Sequence, residues 1–563
     1  MSRIASPTDE MLRRFGIAAL RPTQRAAFDA VASGRDVLVI LPTGGGKSLC
    51  YQLPAACGLT PSLVISPLVA LMKDQVDALR RRGLRAAQLS GAVSQEEREA
   101  AWRALEAKAL DLLYLAPEAL SAPRTRERLA RAAPRLLAVD EAHCISEWGE
   151  SFRPAYLALG AVREALGAPP TVALTATATP RTARDIIGRL ALRDPLVLAG
   201  GFDRANLRLR VEPVPDDTTR LTRLLALARG APGPAVMYAS TRRGTEQLAA
   251  AITRGGISAA PFHAGLPAGE RGRLQDRFQA NDLAVIVATN AFGMGVDKPD
   301  VRLVAHAEPP LTLEAYYQEA GRGGRDGGMA ECHLLCGPND LARARARLAA
   351  GRVTEPLLRR LVACVAATEA HCAHAATEGD ATVPLAQATN TPARDVAAAL
   401  RLLCEAGVLE PGPRGGILRL VATDRRLATD PTLDPADVAA LQALRSCDER
   451  LARQGAPLPH RLLAGVAPGG DVARFLARVQ GRQLGVWHPV GPAWRITRPP
   501  SDAVLAQLVA RHATRQARDL WRHAQLARLV ETTRCRRLVL LRYFGDAGPA
   551  GPCGACDVCG CGA

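Results

Sequence analysis

The sequence predicts an α/β architecture of two doubly wound parallel-sheet domains in tandem, followed by a winged-helix-like domain and a helical element closed by cysteines. Three observations predict it. From residue 30 to about 335, short β-branched runs alternate with amphipathic helical stretches. Beyond about residue 345 the strand signals nearly vanish and alanine- and arginine-rich helix takes over. Near the C-terminus, cysteines recur at short, regular spacing. A chain of 563 residues holds several domains, because single hydrophobic cores stop growing at roughly 250–300 residues, and a small one-domain binding module is excluded.

In order, the buried-strand runs are Val37–Ile40, Leu63–Ile65, Leu112–Leu115 and Leu136–Val139, then Ala235–Tyr238, Val285–Val287 and Val301–Val304. Each is short, mostly apolar and separated from the next by enough chain for a crossover. A break near Gly200-Gly201 divides the first domain, residues 1–205, from the second, 206–345. From Thr389 to Val421 the pattern is a polar turn, a helix from about Pro392 to Ala406, a Gly407 cap and two short strands across Pro411–Gly416. A helix followed by a glycine-containing hairpin is the winged-helix layout, assigned to 346–425, and it serves either DNA contact or protein spacing. Residues 426–505 are punctuated by Pro and Gly and stay unassigned. Residues 506–563 return to arginine-rich helix and end in the cysteine cluster.

Charged residues make up 23% and hydrophobic residues 48%, a globular balance, whereas aromatics are only 4%, so clustered aromatics are informative. The formal net charge is +17, with four lysines (Lys47, Lys73, Lys108 and Lys298) against 68 arginines, which favours a polyanionic partner. The first ten residues lack a signal-peptide core, and no stretch approaches the roughly 18 unbroken apolar residues of a membrane span. A cytoplasmic location is expected. Most of the 14 cysteines then read as buried thiols, such as Cys50, Cys57 and Cys364.

The Val37–Ile40 strand runs directly into Leu41-Pro42-Thr43-Gly44-Gly45-Gly46-Lys47-Ser48. Three glycines let consecutive N–H groups turn around phosphate oxygens, Lys47 reaches the terminal phosphates, and Ser48 can ligate Mg²⁺. Leu41 stands where the strict motif has its first glycine. After the Leu136–Val139 strand comes Asp140-Glu141-Ala142-His143, which sets Asp140 to hold Mg²⁺ through water and Glu141 to accept a proton from attacking water. Together the two motifs specify nucleotide hydrolysis. Arg322 and Arg325, three apart, share one side of a helical turn, from which guanidiniums can reach a γ-phosphate held by the first domain.

Further segments occur in a recognisable order: Phe15-Gly16 with Leu20-Arg21-Pro22-Thr23-Gln24, Asp140 to Tyr156, Thr175–Thr179, Phe262–Gly265, Ala288–Asp300 and Gln318–Gly327. On these the chain resembles the RecQ helicases of superfamily 2 over about residues 10–340 and again 515–560. The resemblance implies two RecA-like domains and an ATP-dependent DNA helicase of 3′→5′ polarity acting in repair and recombination. It also implies that Gln24 hydrogen-bonds adenine with Arg21 nearby. Thr43, Gly44 through Ser48 and Asp297 would bind the nucleotide, and His143 and Gln318 would join the catalytic residues. Trp148, Phe152 and Arg153 in the aromatic-rich loop would contact DNA, since bases stack on exposed aromatics. Glu147, Glu150 and Ser151 stand where the family usually shows Gln, His and Asp.

Cys535, Cys553, Cys556 and Cys559 form a C-x₁₇-C-x₂-C-x₂-C array that suits closed tetrahedral Zn²⁺, with an iron–sulfur cluster as the alternative and Cys561 as a fifth thiol. This stretch also resembles the family's zinc element. Residues 511–542 hold nine arginines against two acids, a candidate phosphate-tracking surface. Some 170 residues separate the zinc element from the second motor domain, where most family members place it directly after. The expected partners are single-stranded and duplex DNA, with a single-stranded-DNA-binding protein or repair factors, and the expected state is a nucleoid-associated bacterial monomer away from membranes. The competing functions are an ATP-driven DNA translocase or RNA helicase, and a winged-helix regulator with a vestigial NTPase.

Overall fold

The structure is a computed structural model that describes residues 6–42, 44–67, 69–90, 93–146, 154–292, 298–370, 382–411, 416–430, 432–447, 451, 456–458, 460–489 and 494–560. The chain forms two compact units, one of Met1–Arg345 with Arg518–Ala563 and one of Ala346–Ala517.

In the first unit, β1 (Val37–Ile40), β2 (Ser62–Ile65), β3 (Ala86–Leu89), β4 (Leu112–Leu115), β5 (Leu136–Val139), β6 (Thr171–Thr175) and β7 (Leu196–Ala199) build a seven-stranded sheet in the order β3-β4-β2-β5-β6-β1-β7. All the pairings are parallel. Valine- and leucine-rich strands such as β1 and β5 are buried along their whole length because helices cover both faces. The order puts the carboxyl ends of β1, β6 and β5 side by side, and ligands of open α/β sheets bind at that edge.

A second parallel sheet holds β8 (Leu207–Pro213), β9 (Ala235–Tyr238), β10 (Ala259–Phe262), β11 (Val285–Ala288), β12 (Leu303–His306) and β13 (Ala330–Cys336), in the order β10-β11-β9-β12-β13-β8. β12 starts two residues later than the sequence run at 301–304, after a turn at Pro299-Asp300. Two RecA-like parallel sheets, as expected, therefore precede the helical C-terminal region with its four cysteines.

The second unit has two small cores. One joins helices Glu355–Ala370 and Ala393–Glu405 to Leu409, Leu505 and Leu508. The other gathers Leu418, Leu441, Leu444, Leu463, Phe475 and Val479. The helix at Ala393–Glu405 ends as expected, with Gly407 at a left-handed φ of 65°. The hairpin expected across Pro411–Gly416 is corrected. β14 (Leu409–Pro411) pairs antiparallel with β18 (Trp494–Ile496), and β15 (Gly416–Leu420) lies between β16 (Ala456–Leu458) and β17 (Gly485–Pro489). The unassigned stretch after 426 supplies these partners together with helices Pro435–Cys447, His460–Val466 and Val472–Gly481.

Candidate active site and metal centre

The phosphate loop leaves β1 at Leu41, whose N–H donates to the Thr175 carbonyl of neighbouring β6 at 3.1 Å. Gly44 and Gly46 adopt left-handed φ values of 81° and 74°, which only glycine takes without strain. The next helix, Leu49–Ala56, turns its N-terminus toward the loop, with Ser48 as its cap residue. Lys47 Nζ donates to the carbonyls of Leu41 at 3.1 Å and Pro42 at 3.4 Å. Burial lowers the pKa of this ammonium, Glu141 and Asp140 pull it back up, and Arg325 pushes it down again. One lysine thus feels both acids of the first lobe and a guanidinium of the second.

Gln24 is buried under this loop, where its Oε1 accepts from Arg21 N at 3.0 Å and its Nε2 donates to the carbonyls of Gly45 at 3.5 Å and Gly46 at 3.3 Å. A Cβ at Gly46 would collide with that amide. Arg21 is exposed at the helix start. Thr43 and Asp297 lie outside the described residues, as do Glu147, Trp148, Glu150, Ser151, Phe152 and Arg153 of the aromatic-rich loop.

Asp140 stands at the end of β5, with Ser66 Oγ 3.5 Å from its Oδ2 and the Glu141 N–H donating to its Oδ1 at 3.0 Å. Burial, reinforced by the adjacent Glu141 charge, raises its pKa to about 7. Glu141 is itself left-handed, with φ 47°. Burial pushes its carboxyl up, but His143, Lys47 and Arg322 outweigh this and leave it below the ordinary range. Burial thus pushes one acid up while its cationic neighbours hold the other down, so the two are electrostatically distinct.

A polar chain leads from Glu141 to the second lobe. Its Oε2 is 3.3 Å from His143 Nδ1, which is 2.9 Å from Thr175 Oγ1. Thr175 Oγ1 donates to the Thr177 carbonyl at 3.0 Å, and Thr177 Oγ1 accepts from Gln318 Nε2 at 3.0 Å. Gln318 belongs to helix Leu313–Ala320, which Thr312 caps by accepting from Ala315 N at 3.2 Å. The loop beyond this helix carries the two arginines. Arg322 is buried beside the Tyr238 hydroxyl and within electrostatic reach of Glu141. The stem of Arg325 packs over Gly44, 3.9 Å from where a Cβ would stand. The structure therefore brings Lys47, Asp140, Glu141, His143, Gln318, Arg322 and Arg325 to one cleft. Sequence reasoning missed Tyr238, a lone buried aromatic with no motif around it.

Cys535, Cys553, Cys556 and Cys559 converge with all four sulfurs within 4.8 Å of one another, two of the separations being 3.1 and 3.4 Å. Four thiolates around one Zn²⁺ at about 2.3 Å would lie about 3.8 Å apart, so the donor set fits the ion in number, kind and spacing. Cys535 caps the N-terminus of helix Arg536–Tyr543, and the other three lie on the terminal turn. That turn adds to the edge strand β8: Leu209 N donates to Ala555 O and Asp557 N to Leu209 O, each at 3.1 Å. Covering the edge removes a free pairing surface.

The phosphate-tracking reading of residues 511–542 is corrected for four of the nine arginines, since Arg518, Arg522, Arg536 and Arg537 are buried. Arg522 donates to Glu314 at 3.1 Å, Arg536 to Asp557 at 2.6 and 2.8 Å, and Arg537 to Asp203 at 2.8 Å. They brace the fold; Arg528, Arg534 and Arg542 remain exposed.

Two RecA-like lobes with a phosphate loop on one and paired arginines on the other define the two-lobed helicase motor class. The DEAD/DEAH box helicase family matches residues 21–186, the helicase conserved C-terminal domain 217–327 and the RecQ zinc-binding family 501–560. The chain belongs to the RecQ family of DEAD-box helicases. It is 44% identical over 328 residues to the probable ATP-dependent DNA helicase RecS of Bacillus subtilis, covering 58% of this chain and 66% of that protein. It is 42% identical over 330 residues to the ATP-dependent DNA helicase RecQ of Haemophilus influenzae, covering 58% and 53% respectively. The match thus spans between half and two-thirds of these relatives. Among solved structures, the DUF1998 helicase MrfA bound to DNA aligns with a TM-score of 0.51 at 18% identity, over 60% of this chain and 52% of that one, a likeness of fold. Among the described residues, no helix is long and apolar enough to cross a membrane.

Proposed function

We propose that the chain is an ATP-dependent DNA helicase that separates duplex DNA with 3′→5′ polarity in DNA repair and recombination. The observation that carries the reading is the cleft itself. The phosphate loop at Gly44–Ser48 faces Arg325 across it, while Arg322 and Glu141 sense each other's charge. Nucleotide phosphates held there would be touched from both lobes, so making and losing those contacts drives the lobes together and apart.

In this reading each cleft residue has a role. Lys47 leaves the Leu41 and Pro42 carbonyls for the phosphates, and Glu141, held as a carboxylate, takes the proton of the attacking water. His143 orients Glu141, and Gln318 reports closure to it through Thr177 and Thr175. Arg322 and Arg325 offset charge that develops on the transferred phosphoryl group. Asp140 and Ser48 offer hard oxygen donors of the kind Mg²⁺ selects, and bound there the ion would neutralise phosphate charge. Family resemblance assigns Gln24 and Arg21 to the adenine base, Thr43 and Asp297 to the nucleotide, and Trp148, Phe152 and Arg153 to DNA. The basic excess suits single-stranded and duplex DNA as partners, and repair factors and a cytoplasmic, nucleoid-associated monomer complete the reading.

Strand displacement tests it. DNA duplexes with 3′ or 5′ single-stranded tails, and the matching RNA duplexes, are incubated with the full chain, ATP and Mg²⁺. Separation of 3′-tailed DNA that stops without ATP supports the proposal. ATP hydrolysis without separation of any duplex makes the chain a translocase, and separation of RNA alone makes it an RNA helicase.

A further inference from the structure

The loop carrying Arg322 and Arg325 contains Gly321, Gly323, Gly324, Gly327 and Gly328, so its backbone is intrinsically free to adopt many conformations. Its N–H groups at Gly324 and Asp326 donate to the Val301 and Pro299 carbonyls, Arg302 pairs with Asp326, and two side chains from the segment just before β8 hold its carbonyls. Arg204 Nη1 donates to the Gly321 carbonyl at 3.1 Å, and its Nη2 donates to Gly323 at 2.7 Å and Gly324 at 3.0 Å. Asn206 Nδ2 donates to the carbonyls of Gly324 at 2.8 Å and Gly328 at 2.7 Å. Arg204 Nε also lies 3.4 Å from Asn206 Oδ1, which ties the two together. Gly324 adopts a left-handed φ of 52°, and a Cβ there would collide with Asn206 Nδ2 and the Gly328 carbonyl. At Gly324 the loop backbone lies closer to Asn206 than any side chain there would permit.

The segment is itself anchored from the cysteine-bearing element. The Phe202 ring stacks on Phe544 at 4.9 Å, and Tyr317 donates its hydroxyl to the Phe202 carbonyl at 3.0 Å. Arg537 donates to Asp203 at 2.8 Å and to the Leu207 carbonyl at 2.6 Å. A planar guanidinium can bridge several carbonyls at once in a fixed fork, which an ammonium cannot reproduce.

We propose that Arg204 and Asn206 are positioning residues for ATP hydrolysis: they hold the Gly321–Gly328 loop in the one conformation that aims Arg322 and Arg325 at the phosphate loop. This rests on the reading of Arg322 and Arg325 as groups that offset charge on the transferred phosphoryl. Neither positioning residue touches the nucleotide in this scheme, so their removal misplaces the arginines and leaves the rest of the cleft intact.

The test compares Arg204→Ala, Arg204→Lys, Asn206→Ala, Arg322→Ala and the Arg204→Ala/Arg322→Ala double variant in the full chain. It reads DNA-stimulated kcat, the Kd for a fluorescent ATP analogue and the thermal midpoint. Misplacement by about 1 Å predicts a roughly 10- to 100-fold fall in kcat for Arg204→Ala, with the nucleotide Kd changed less than about threefold. Arg204→Lys recovers part of the loss, and the double variant loses less than the product of the single losses, because Arg204 acts partly through Arg322 and partly through Arg325. If Arg204→Ala does not fold, Asn206→Ala, which removes two of the five loop contacts, carries the same expectation at smaller size. Wild-type rates in Arg204→Ala and Asn206→Ala beside a slow Arg322→Ala overturn the positioning role alone. A double variant whose loss is the product of the single losses overturns it too. A wild-type rate in Arg322→Ala overturns the underlying reading of the arginines, and the proposal falls with it.

Discussion

Replacing Gln318 by Ala removes the hydrogen bond from Gln318 Nε2 to Thr177 Oγ1, which spans the two lobes at 3.0 Å. Both groups are neutral, and Thr177 is buried. A neutral hydrogen bond contributes about 0.5–1.5 kcal/mol net, so closure of the lobes should weaken by a factor of about 2–13. If hydrolysis requires closure, kcat/KM for ATP falls by the same factor. Thr177→Val deletes the acceptor yet keeps the Thr177 carbonyl, to which Thr175 donates at 3.0 Å, so the path from Glu141 to Thr175 survives. The two substitutions remove one bond between them, and the double variant should be no slower than the worse single. Steady-state ATP turnover with single-stranded DNA, measured for wild type, both singles and the double, gives the coupling directly. An unchanged rate in Gln318→Ala, or losses that multiply in the double variant, would refute the claim that this bond reports closure.

Other outcomes follow from the same geometry. Lys47→Ala should abolish ATP turnover while DNA binding in a mobility-shift assay stays near wild type; persistent turnover would contradict the phosphate cradle. Metal analysis should find one zinc per chain, reduced by Cys556→Ser, whereas iron with visible absorbance would replace that assignment. Burial alone would raise the Glu212 carboxyl, but His333 and Arg223 outweigh it and bring its pKa to about 2. The folded value lies below the unfolded one, so the stabilisation is complete above roughly pH 4.5 and disappears as pH falls toward 2. The thermal midpoints of wild type and Glu212→Gln should therefore differ at pH 6 and converge toward pH 3; a gap that widens in acid would show the sign to be wrong.

The parts of the cleft legible in the sequence are those whose chemistry is written in adjacent residues. Gly44 to Ser48 can be read because a phosphate needs consecutive N–H groups, and Asp140-Glu141 because a buried strand fixes where they emerge. Strands of low β-propensity are harder to see. β3 is Ala-Ala-Gln-Leu and β10 is Ala-Ala-Pro-Phe, and both lie at sheet edges, where such sequences are tolerated. The second unit is illegible for another reason: β14 finds its partner more than eighty residues later, and no local pattern encodes a pairing at that distance. Arg204 and Asn206 carry no motif, and their importance comes from five glycine-loop contacts that only the folded chain displays. The arginine-rich helix misled in the opposite sense, because composition cannot tell an arginine that meets solvent from one such as Arg522, buried against Glu314.

The most direct test of the two-lobed grip is the rate of ATP hydrolysis with and without single-stranded DNA, in wild type and Arg322→Ala, beside the Kd of each for nucleotide. A guanidinium that acts on developing charge across the cleft should be worth roughly 10³-fold or more in turnover and little in nucleotide binding. Hydrolysis in Arg322→Ala at the wild-type rate, stimulated by DNA as before, would mean that the guanidinium set beside Glu141 takes no part in cleaving ATP.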